Sequence, residues 1–210
     1  MLDRRTFTIA ATVLAGAGAA IASAARAAAP PASRPDDMSL GNPNARVQVI
    51  EYASMACPHC GHFNETVFAP FKAKWVDTGK VRYTLREMLT EPVNVAAAGF
   101  MIARCAGPDK YFTVVDQVFR SQARWTQGDI KPIFKDIAAA NGVDEAHFNA
   151  CLSDEAAAQA VAGRAQRADE QDDVHSTPTI FVNGKRLDPT PTTPAEMDAA
   201  IQAALKAGGR

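Results

Sequence analysis

Two cysteines stand three positions apart in Cys57-Pro58-His59-Cys60, directly before a segment in which Phe63, Val67, Phe71 and Trp75 recur at every fourth position. That recurrence marks the buried face of a helix, so the pair sits at a helix N-terminus. Unsatisfied backbone N–H groups there carry partial positive charge and lower a thiol's pKa from about 8.5. Cys57 is therefore expected to be an exposed nucleophile and Cys60 a more buried, resolving sulfur. Pro58 falls where the first helical turn tolerates a missing donor, and His59 is placed to add a contact to the Cys57 thiolate. Stabilising that thiolate favours the reduced pair and makes its disulfide an electron acceptor. The chemistry these residues imply is thiol–disulfide exchange, with no cofactor beyond the Cys57–Cys60 disulfide.

Zinc would need a second ligand pair. Cys105 and Cys151 read as standing without a Cys or His at ligand spacing, so no metal is expected. Cys105 ends an apolar face made by Val95, Ala98 and Ile102, and Cys151 lies beside Phe148 and Leu152. Both are expected to point into a helical core, either as a second, structural disulfide or as two buried free thiols. A different class of function, soft-copper handling by Cys57-Pro58-His59-Cys60, remains as an alternative.

The elements that must position the pair can be read on either side of it. Arg46 to Tyr52, with Val47, Val49 and Ile50, follows the turn residues Gly41-Asn42-Pro43-Asn44 and suits a buried strand. Glu51 on that strand, six residues before Cys57, is a candidate proton shuttle for Cys60, with Arg82 an alternative ion-pair partner. A second strand is expected over Val81 to Leu85, parallel to the first because a helix intervenes, and Pro70 is expected to kink that helix. From Val93 to about Asp172 the periodicity is helical, with Asp109, Asp129 and Asp144 as N-caps. Strand character returns at Thr179-Ile180-Phe181-Val182, and Asn183-Gly184 turns it into Lys185-Arg186-Leu187. Thr193-Pro194-Ala195-Glu196 is a capping box opening a last helix whose buried face is Met197, Ile201, Ala204 and Leu205.

The 210 residues carry a formal charge of -1 and no block of like charges, which argues against nucleic acid or anionic lipid as a partner. Arg4 and Arg5 precede an uncharged, Ala- and Gly-rich stretch from Phe7 to Ala25, ending in the small-x-small site Ala25-Arg26-Ala27. This is a signal-peptide profile, and the mature chain is expected to begin near Ala28. Arg4-Arg5-Thr6-Phe7 resembles a twin-arginine signal, with Asp3 where Ser or Thr is usual. An uncleaved membrane anchor is the alternative, and either reading exports the domain to an oxidising compartment. The expected organisation is a signal peptide over 1–27, a linker over 28–40, a sheet domain built from 41–92 and 173–210, and a helical insertion over 93–172.

Glu51, Cys57-Pro58-His59-Cys60 and the run Thr177-Pro178-Thr179-Ile180-Phe181-Val182-Asn183-Gly184 together resemble the DsbA-like thiol oxidases of the thioredoxin superfamily. The resemblance implies an α/β thioredoxin fold with an inserted helical domain. It further implies a cis peptide before Pro178 facing the cysteines, a buried acid at Glu51, and an extended substrate segment held by Pro178 and the Thr177 backbone. The residue at Thr177 differs between oxidising, isomerising and reducing relatives, and Thr is shared by several of them, so it leaves the direction of exchange open. The expected function is a periplasmic, monomeric oxidase that donates the Cys57–Cys60 disulfide to reduced exported polypeptides and is reoxidised by a membrane partner of the DsbB type. An isomerase or reductase on the same fold is the alternative.

Overall fold

A computed structural model describes residues 33–125 and 128–208. The segment read as a signal peptide lies outside the described residues. Five strands form one mixed sheet in the order β1-β3-β2-β4-β5. They are β1 (Met38–Gly41), β2 (Val47–Ala53), β3 (Val81–Glu87), β4 (Thr179–Val182) and β5 (Lys185–Arg186). β2 and β3 are parallel, as a helical crossover demands, while β4 runs antiparallel to β2 and β5 to β4. The β4–β5 turn is made by Asn183 and Gly184, both with positive φ (47° and 75°), the backbone that a two-residue hairpin matched to strand twist requires.

The crossover helix, α1, runs over 58–76. Its apolar residues repeat every four positions, and on a regular helix such a stripe drifts by about 40° per step. The chain removes that drift by widening twice, over Asn64–Phe68 and Lys72–Val76, and the Asp77 N–H bonds the Lys72 carbonyl five residues back at 2.9 Å. Phe63, Val67, Phe71 and Trp75 thus all reach the core. Helical backbone continues through Pro70, held between these wider turns, where the sequence had pointed to a kink.

Between β3 and β4 lie α2 (Val93–Cys105), α3 (Pro108–Trp125), α4 (Ile130–Ala140), α5 (Glu145–Leu152) and α6 (Glu155–Asp172), and α7 (Pro194–Ala207) closes the described chain. Asp129 and Asp144 cap α4 and α5 as expected, and Thr193 with Glu196 forms the capping box of α7. Asp109 falls within the first turn of α3, behind Pro108, and is not the residue before it. Asp154 caps α6, its side chain accepting from the Ala157 N–H.

The stretch read as linker over 28–40 ends in structure. Met38, Ser39 and Leu40 belong to edge strand β1, paired with Leu85, Thr84 and Tyr83 of β3. Four residues after a proline-rich run are too few for alternation to register in the sequence, and ionic contacts fix the arm instead. Arg34 pairs with Asp172, Asp36 with Arg167 and Asp37 with Arg86. Nearby, the buried carboxylate of Glu87 takes Arg104 and Arg164 at 2.5 Å each and the Tyr111 hydroxyl at 3.1 Å, tying β3 to three helices of the insertion. Two half-buried guanidinium groups satisfy the carboxylate charge that burial would otherwise penalise. The main core joins Val47, Val49 and Tyr83 of the sheet to α1, α7 and the insertion, and it includes Cys57 and Cys60. A smaller cluster around Tyr52, Phe181 and Ala168 lies on the other face, under α6.

Candidate redox site at the start of α1

Cys57 is the N-cap of α1, with extended backbone, and Pro58 is the first helical residue, where its missing donor costs no hydrogen bond. The Cys57 N–H is held by the Ser54 carbonyl at 3.0 Å, and the Cys57 carbonyl accepts from Gly61 N–H at 3.2 Å. Both cysteines are thiols in this structure. Cys60 is fully buried, in the position expected for a resolving sulfur. Cys57 is only 6% exposed, against the expectation of an open nucleophile. The Thr177–Pro178 turn lies against it: the peptide bond is cis, and the Cys57 Sγ–H donates to the Thr177 carbonyl at 3.4 Å. Two other bonds, Glu91–Pro92 and Asp188–Pro189, are also cis.

The electrostatics separate the two sulfurs. Cys57 is lowered from 9.0 to about 5, chiefly because the Cys60 thiol donates to its thiolate. Burial opposes this, and the Thr177 side chain and the backbone N–H groups of Cys60 and His59 add to it. The strongest donor to Cys57 is therefore the partner cysteine, which the Cys-x-x-Cys spacing alone does not rank above the helix N-terminus. His59 acts on Cys57 through its amide, while its imidazole lies on the exposed side of the helix. Cys60 is pushed well above its ordinary value by burial, and further by the Cys57 thiolate and Glu51.

Glu51 lies beneath the pair, 2% exposed, accepting from the Tyr83 hydroxyl at 2.6 Å. Burial raises its carboxyl from 4.5 to about 7, with the Tyr83 hydrogen bond opposing and the Cys57 charge adding. The alternative partner Arg82 is excluded by strand parity. Val49 pairs with Tyr83 and Glu51 with Leu85, so Arg82 projects to the other face, toward Ser39.

Gln122 also belongs to the site. From α3 its amide donates to the Met55 carbonyl at 2.8 Å and the Cys57 carbonyl at 3.1 Å, fastening the Cys57 turn to the insertion. Gly61 permits this approach, because a Cβ there would lie 2.9 Å from the Gln122 Cδ. A lone Gln on an amphipathic helix carries no sequence signal that sets it apart from a solvated residue. Beside the turn runs a largely apolar groove of about 260 Å³, lined by His59, Phe63, Val67, Pro178 and Pro191 among others.

Cys105 and Cys151 are joined as a disulfide, with Cα atoms 6.2 Å apart. Cys151 is buried, as expected, but Cys105 does not point fully into the core. Cys105, the last residue of α2, is half-buried, and the pair borders a surface groove. The reading that neither has a His at ligand spacing is also corrected. His147 precedes Cys151 by one helical turn, and its Nε2 lies 3.4 Å from the Cys105 sulfur. No helix among the described residues is long and apolar enough to cross a membrane.

Residues 33–203 match the family model described as Thioredoxin, so the chain belongs to the thioredoxin family. Within that superfamily it is DsbA-like. It is 30% identical over 145 residues to the thiol:disulfide interchange protein DsbA of Yersinia pestis, covering 67% of each chain. It is also 30% identical over 151 residues to a protein-disulfide oxidoreductase of Rickettsia bellii, covering 71% of this chain and 58% of that relative. The chain therefore spans little more than half the length of that curated relative. The crystal structure of Wolbachia pipientis α-DsbA1 superposes with a TM-score of 0.76 over 84% of this chain and 94% of that one, at 24% identity, which defines the shared fold.

Proposed function

We propose that this protein is a periplasmic thiol:disulfide oxidoreductase working as an oxidase, which passes its Cys57–Cys60 disulfide to reduced exported polypeptides. The observation that carries the reading is the unequal pair: Cys57 held at about 5 beside a Cys60 held well above its usual range. At pH 7 a thiol at about 5 is ionised where one at 9.0 is not. This favours the reduced pair by about 3 kcal/mol, or roughly 60 mV for a two-electron couple.

In the exchange a substrate thiolate attacks the Cys57 sulfur of the disulfide, and the electron pair of the S–S bond leaves on Cys60. Cys60 is the poorer thiolate and must be protonated, and Glu51 is the buried acid next to it that titrates near neutrality. The second substrate thiolate then attacks the substrate sulfur of the mixed disulfide and expels Cys57 as its stabilised thiolate. Two electrons have moved from the substrate dithiol to the cysteine pair. The Thr177 backbone, Pro178 and the apolar groove beside His59 are suited to an extended, unfolded segment, and a DsbB-type membrane partner would remove the electrons afterwards.

The test is reactivation of a reduced, disulfide-requiring enzyme by stoichiometric oxidised protein, with Cys57→Ser as control. Recovery with the wild type alone supports the proposal. Equal recovery with both, or with neither, rejects the oxidase assignment.

A further inference from the structure

A second group of thiophilic donors lies on the insertion, remote in sequence from Cys57 and Cys60. His147 and Cys151 stand four residues apart on α5, a spacing that puts both side chains on one helix face, and Cys105 meets them from the C-terminal end of α2. The two sulfurs and a ring nitrogen of His147 all lie within 4.8 Å of one another. His147 is exposed, Cys105 half-buried and Cys151 buried, so the group opens on one side to a groove of about 380 Å³. A structural disulfide needs no imidazole at 3.4 Å from its sulfur, nor an open groove beside it.

We infer that Cys105, Cys151 and His147 form a three-ligand site for a thiophilic d10 cation such as zinc when the Cys105–Cys151 disulfide is reduced. Two thiolates and one imidazole are a ligand set that leaves a fourth tetrahedral position open. Asp154 borders the groove with one carboxylate oxygen capping α6 through the Ala157 N–H at 3.0 Å, which leaves its other oxygen or a water for the fourth position. The reaction balances with a dithiol as co-reactant. It gives two electrons and two protons to the S–S bond and leaves as a disulfide, and zinc then displaces both thiol protons. Because the cation binds only the reduced pair, it draws this couple toward the dithiol by mass action.

The experiment uses the full chain carrying Cys57→Ser and Cys60→Ser, so that the second pair holds the only cysteines. Zinc uptake is measured against a chromophoric chelator for the reduced and oxidised forms, with far-UV circular dichroism followed throughout. The inference predicts one zinc ion per reduced chain, none on the oxidised chain, and at least a tenfold weaker affinity in His147→Ala. A second measurement keeps all four cysteines. In a fixed glutathione buffer, added zinc should raise the ratio of reduced to oxidised Cys105–Cys151 by on the order of tenfold when free zinc is about ten times its dissociation constant. No uptake by the reduced chain, equal affinity in His147→Ala, equal binding by the oxidised chain, or a reduced chain that unfolds and is not refolded by zinc would each overturn it.

Discussion

Replacing Glu51 by Gln should stabilise the reduced protein at pH 8 and leave it nearly unchanged at pH 4. The side chain is 2% exposed, and burial raises its carboxyl from 4.5 to about 7. Below pH 4.5 the acid is protonated in both folded and unfolded chains and contributes no difference. Between 4.5 and about 7 the unfolded chain ionises while the folded one keeps its proton, so the wild type loses stability as pH rises. Above about 7 the loss is complete and amounts to about 3 kcal/mol. Gln keeps an acceptor for the Tyr83 hydroxyl, bonded at 2.6 Å, and carries no charge to bury. Urea denaturation of both proteins under reducing conditions at pH 4, 5.5 and 8 reads the effect directly. The variant should gain about 3 kcal/mol at pH 8, or roughly 6–12 °C in Tm for a chain of this size. In the oxidised protein the gain should keep its sign and shrink, because the Cys57 charge is gone while burial remains. A gain equal at pH 4 and pH 8, or a loss at pH 8, would refute the burial argument.

Three further outcomes follow from the same geometry. Thiolate absorbance at 240 nm should report Cys57 ionising near pH 5, and Cys60→Ala should move that midpoint upward, since the Cys60 thiol is its largest stabilising donor. Gly61→Ala should destabilise the protein by about 1–3 kcal/mol through collision with Gln122, and Gln122→Ala in the same chain should recover part of that loss in a double-mutant cycle by denaturation. Glu87→Leu, which strands the Arg104 and Arg164 guanidinium groups, should cost about 3–5 kcal/mol in the same assay.

The parts of the fold that could be read in advance are those set by local chemistry. Val47 to Tyr52 reads as a strand because its residues must be buried, Asn183-Gly184 as a hairpin because few other pairs accept positive φ twice, and Thr193 to Glu196 as a helix start because each residue caps the other. The cysteine pair was legible because its spacing and its helix coincide. What escaped depends on partners distant in sequence. β1 is four residues held by β3, and the arm before it is fixed by ion pairs of Arg34, Asp36 and Asp37 to Asp172, Arg167 and Arg86. Glu51 chose Tyr83 over Arg82 through strand parity, which only the observed register supplies. Gln122 reaches the Cys57 turn across more than sixty residues, and its approach rests on Gly61 being small. The burial of Cys57 depends on the Thr177–Pro178 turn, 120 residues away.

The proposed oxidase role requires the environment of Cys57 to make the Cys57–Cys60 disulfide a strong acceptor of electrons. The most direct measurement is its equilibrium reduction potential in glutathione buffers, with alkylation and mass spectrometry following Cys57 and Cys60 separately from Cys105 and Cys151. The expected potential lies well above that of thioredoxin, about −270 mV. A potential at or below that value would contradict it and assign the pair to reduction.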